Sequence, residues 1–82
     1  MLVRMARKIR VAEFETMDLL IEYTDANMPL TENETIPEWT TRVKLAIYKE
    51  ILAHQVFHGV LNVDQAKQEI ARFREFYKIP KT

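Results

Sequence analysis

The 82-residue chain predicts an all-α fold, a small three-helix bundle, on three observations. Glycine occurs once and proline three times, too few turn residues for a barrel or sandwich of many short strands. Apolar side chains recur at spacings of three, four and seven, which is the repeat of one face of a helix. Two stretches also open with the residue pairs that cap helix N-termini. With 48% hydrophobic and 29% charged residues the chain is apolar enough to collapse, and its length allows one core. The expected organisation is a basic N-terminal arm over residues 1–10 and a single helical domain over residues 11–82.

The arm carries Arg4, Arg7, Lys8 and Arg10. Four cations in the first turns of a helix would oppose its dipole, so an extended or frayed segment is expected in preference to a helix running from residue 2. Residues 11–27 read as the first helix, because Phe14, Met17, Ile21 and Met28 stack on one side and Asn27 with Pro29 ends it. Glu15, Asp18, Glu22 and Asp25 give that helix an acidic stripe, and Ala12, Leu19, Tyr23 and Ala26 a weaker second apolar row.

Residues 29–35 are a polar connection. Thr35 and Glu38 then stand in the spacing of a capping box, with Pro37 in the first turn where its missing N–H costs nothing. The second helix is expected over residues 36–58 and is stopped by Gly59, the residue that takes a left-handed conformation most cheaply. Trp39, Val43, Ala46, Ile47, Ala53 and Phe57 fill one broad side of it, and Leu45, Tyr48, Leu52 and Val56 a second stripe roughly opposite. A helix apolar on nearly every side must be covered on every side. Asn62 with Gln65 opens a third helix over residues 63–79, ended by Pro80, with Val63, Ala66, Ile70, Phe73 and Tyr77 as its apolar stripe and Lys67, Arg72, Arg74, Glu75 and Lys78 on the far side.

Three short helices bury about one face each, so the surplus apolar surface implies a partner, most simply a second copy of the chain. The surface expected to carry that contact is Leu19, Tyr23, Leu45, Tyr48, Leu52 and Val56.

Composition removes many chemistries. Cysteine and serine are absent, which excludes disulfide frameworks, thiolate metal sites and both of the commonest nucleophiles. A lone glycine excludes phosphate-cradling loops. Seven threonines, two histidines and the carboxylates remain, in no spacing that joins a hydroxyl, a base and an orienting acid; an enzyme is not expected, nor a cofactor. Glu50, His54 and His58 stand four apart on the second helix, the column by which a helix offers two imidazoles to a metal. A closed site needs further donors, and the metalloprotease signature requires a glutamate where this chain has Gln55, so packing is the expected role of these residues.

Net charge is zero, yet residues 1–10 carry +4 and residues 11–35 carry −7. The arm, with Arg72, Arg74, Lys78 and Lys81, offers an alternative reading as a nucleic-acid-binding dimer using Arg4, Arg7, Lys8 and Arg10. The acidic first helix and zero net charge oppose it. No apolar run approaches the length of a membrane span and the start lacks the continuous apolar core of a secretory signal, so a cytoplasmic location is expected. The function expected is that of a small helical protein-interaction module, an accessory, adaptor or inhibitor protein acting as a homo-oligomer.

Overall fold

A computed structural model describes residues 1–12 and 14–78. Two strands and two helices follow one another along the chain: β1 (Leu2–Ala12), β2 (Glu15–Thr24), α1 (Ile36–Phe57) and α2 (Val63–Phe76). The fold is therefore α+β, and the all-α three-helix bundle is overturned: residues expected as a basic arm and a first helix form an antiparallel hairpin.

The pairing explains the correction. Leu2 stands opposite Thr24, and the register continues through Arg4 with Glu22, Lys8 with Asp18 and Arg10 with Thr16, with a bulge between Arg10 and Ala12. The basic segment and the acidic segment of the sequence are thus strand partners, and opposite charges facing across a ladder stabilise it. Met17, Leu19, Ile21 and Tyr23 alternate strictly with Asp18, Leu20 and Glu22, a period of two that competes with the helical spacing of Phe14, Met17 and Ile21. Phe14, expected in the core, is 93% exposed.

One face of the hairpin packs on α1. Val3 and Ile9 are buried with Trp39, Val43, Ile47 and Ile51, an unbroken i, i+4 column of α1, while Met5, Met17, Leu19, Ile21 and Tyr23 close around them. A two-stranded hairpin is marginal in water by itself, and this helical column supplies the apolar surface that stabilises it. Both edges of the connection to α1 are tied down. The Trp39 indole N–H donates to the Met28 carbonyl, and Arg42 reaches the Pro29 carbonyl with Nη2 at 2.8 Å while holding Glu34 through Nε and Nη2, each at 2.9 Å.

Both helix starts are as expected. Thr35 and Glu38 form a reciprocal capping box, as do Asn62 and Gln65. α1 ends at Phe57 with His58 as its cap, and Gly59 follows with φ of 75°. α2 ends at Phe76 with Tyr77 as its cap, short of the expected end at residue 79: Tyr77 and Lys78 form a turn, with Lys78 at φ of 55°, and Ile79 lies outside the described residues, as do Glu13 and Lys81. No described helix is long and apolar enough to cross a membrane.

Candidate interaction surface

The second stripe of α1 is covered within the protomer. Leu45 and Leu52 are buried and Tyr48 and Val56 half-buried. Tyr48 stacks on Phe73 of α2 with ring centroids 5.1 Å apart, and its hydroxyl donates to Glu69 Oε2 at 3.0 Å. Burial and the Glu69 carboxylate push the Tyr48 phenol above its ordinary value. The surplus expected on this stripe is therefore taken up by α2, and the apolar excess appears elsewhere. Leu19 and Tyr23 lie half-buried on the α1 side of β2, where the Tyr23 hydroxyl donates to Glu50 and that carboxylate raises the phenol's pKa.

Those contacts place the strands relative to the helices. β2 lies against the Glu50 flank of α1, and β1 lies beneath the other flank, toward α2. A groove opens there, walled by Met5 and Arg7 of β1 and by Arg72 and Phe76 of α2, with Lys44 and Tyr48 of α1 at its base. No β2 residue lines it. Arg7 is the one charged residue among the described core-side positions of β1, opposite Leu19, and it is exposed.

The layers do not match in width. Packed helices lie 8–10 Å apart whereas paired strands lie about 4.8 Å apart, so two strands underlie roughly one helix. Consistent with that, α2 contains no buried residue. Among the described residues the sheet has two strands only, so β1 and β2 each have an open edge. The Asp25 N–H donates to the Met1 carbonyl, whereas the Thr24 N–H turns away to Asn27 Oδ1 at 3.2 Å. In an antiparallel ladder this phase sends odd-numbered backbone groups to the partner strand and even-numbered ones to the open edge. Leu2, Arg4, Ala6 and Lys8 thus present N–H and C=O groups outward on β1, and Asp18, Leu20 and Glu22 on β2.

The four expected nucleic-acid contacts do not form one row. Arg4, Lys8 and Arg10 share the outer face of the hairpin and Arg7 the inner face. Arg4 is held by Glu22 at 3.1 Å, and Lys8 stands opposite Asp18. Arg72 pairs with Glu69 at 2.9 Å, and the Arg74 Nε is buried without a hydrogen-bond partner among the described residues. Nor do Glu50, His54 and His58 converge: they line a shallow apolar groove with Met17, Ala53 and Phe57, and no group of three or more His, Cys, Asp or Glu among the described residues is arranged to hold a metal.

The open strand edges and the layer mismatch escaped the sequence reading because both follow from the hairpin. Arg7 within an alternating apolar row is their one local signal in the sequence. No protein-family model, curated protein or solved structure matches this chain.

Proposed function

We propose that the chain is a small, non-enzymatic protein-interaction module that assembles with a second copy of itself by extending its sheet. One observation supports this most directly: the described sheet consists of two long strands paired only with each other. Unpaired edges of this length are templates for another strand, and a closed two-fold contact is the simplest way to cover one. The edge that suits a second copy is β2. Pairing β1 with itself about Ala6, the middle of its outward row, sets Arg4 opposite Lys8, which is destabilising. Antiparallel pairing of β2 centred on Leu19 instead sets Asp18 opposite Leu20 of the second copy and Glu22 opposite Thr16, while Leu19 meets its own counterpart. Leu20, 57% exposed on the outer face, gains apolar cover there.

Sedimentation velocity from low to high micromolar concentration tests the proposal. A dimer is expected, and Leu20→Pro is expected to return it to monomer with an unchanged far-ultraviolet circular dichroism spectrum, because only an outward N–H is lost. A wild-type chain that stays monomeric at high micromolar concentration overturns self-association, and a dimer indifferent to Leu20→Pro overturns the β2 edge.

A further inference from the structure

We propose that the opposite edge, β1 with the groove beneath α2, is a docking site for an acidic extended segment of a different protein, which adds as a third strand. The inference rests on the reading of the chain as an interaction module and names the partner chemistry at an edge the homodimer leaves free.

Geometry supplies the first part. A third strand on β1 lies one strand spacing beyond it, under α2, where the layer of two helices has no sheet to cover. Backbone groups of Leu2, Arg4, Ala6 and Lys8 point that way. Main-chain hydrogen bonds would give such a strand its affinity, and side-chain chemistry its specificity.

Charge supplies the second. Arg7, Lys44 and Arg72 all line the groove, with Glu69 the one carboxylate among the described residues that line it. Glu69 is already engaged by the Tyr48 hydroxyl and by Arg72. Arg7 makes no ion pair among the described residues, and the Lys44 ammonium lies over the Tyr77 ring at 5.8 Å from its centroid. An arginine on the core side of a strand, facing a groove with two more cations, selects carboxylates on the groove side of an incoming strand. Phe76, 78% exposed at the groove wall, offers it an aromatic surface. The chain's own β2 is the precedent: β1 already holds an acidic strand on its inner edge, with Glu22 and Asp18 opposite Arg4 and Lys8.

The probe is a fluorescently labelled peptide of about nine residues, long enough for one ordinary strand, alternating Glu with Thr. Its controls are the same peptide with Lys for Glu and an oligothymidylate of equal charge. Anisotropy titration against the full chain at low salt is expected to give saturable binding of the Glu peptide only. Ala6→Pro, which removes an outward N–H at the centre of the β1 edge, is expected to weaken it about tenfold or more, and so are Arg7→Glu and Lys44→Glu. Leu20→Pro is expected to leave it unchanged. Should Ala6→Pro fail to fold, the two charge reversals still decide. No binding of the Glu peptide at high micromolar concentration, equal binding of the Lys peptide, tighter binding of the oligothymidylate, or indifference to the edge and charge variants overturns the proposal. A monomeric wild type that still binds the peptide overturns self-association alone, whereas a dimer that ignores the peptide overturns this site alone.

Discussion

Ile9 separates the hairpin from any fold in which the first ten residues are a loose arm. It is 3% exposed, on the inner face of β1 opposite Met17. Truncating Ile9→Ala removes three carbon atoms, about 2.4 kcal/mol at roughly 0.8 kcal/mol each, and the unfilled space against the α1 column raises the cost to about 3–4 kcal/mol. The whole domain, at roughly 0.05–0.15 kcal/mol per residue, is stable by only about 4–12 kcal/mol. With a urea slope of about 1 kcal/mol/M for so small a protein, the midpoint is expected to fall by about 3 M. Leu20→Thr, on the outer face, keeps a good strand former and is expected to change stability by no more than about 0.5 kcal/mol. Trp39, the sole tryptophan and a member of the same buried cluster as Ile9, reports unfolding by its fluorescence. Both variants are read at low micromolar concentration so that self-association does not enter. An Ile9→Ala stability within about 0.5 kcal/mol of wild type, or a Leu20→Thr loss as large as that of Ile9→Ala, refutes the packing of β1 on α1.

Other outcomes follow from single contacts. The Arg42 guanidinium holds the Glu34 carboxyl below its ordinary value of 4.5, so its stabilisation is complete above that value and is lost as pH falls through the lowered one; Glu34→Gln is expected to flatten the acid limb of a stability profile followed by Trp39 fluorescence. The Tyr48 phenol is raised from 10.0, so its contribution is full below pH 10 and lost as pH rises through the raised value; Tyr48→Phe is expected to cost about 1 kcal/mol at neutral pH and to soften the alkaline limb, seen in urea midpoints. Gly59→Ala meets nothing within 4 Å but must keep φ near +75°, which is expected to cost about 1 kcal/mol in thermal or urea unfolding. Equimolar zinc is expected to leave the melting temperature unchanged, since Glu50, His54 and His58 do not gather into a cluster; a rise abolished by His54→Ala refutes that.

Residues 36–76 were legible because their signals are local. Thr35 with Glu38 and Asn62 with Gln65 fix helix starts within one turn of chain, and Gly59 fixes a stop, so each needs only its own neighbours. The hairpin lacked such markers. The sequence between Ala12 and Glu15 lacks the Asn-Gly or Asp-Gly pair that signals a tight turn, and Met17, Ile21 and Met28 fit a helical repeat while Met17, Leu19, Ile21 and Tyr23 fit a strand. Of the expected contact residues, Leu45 and Leu52 are buried within the protomer, Tyr48 stacks on Phe73 of α2, and Arg7 lines a groove completed by residues of α1 and α2 far from it in sequence.

What the sequence determined by itself was the absence of cysteine and serine chemistry, two helices with their caps, and a helix greasy on two sides that needed cover on both. What covers it was decided only in three dimensions. One side went to α2 and the other to a hairpin whose strands are selected by each other, basic against acidic, and by the Val43, Ile47 and Ile51 surface beneath them. Strand pairing is a contact between distant residues, and its energy exists only once the partner and the helix below are in place; the same is true of the open edges it leaves behind.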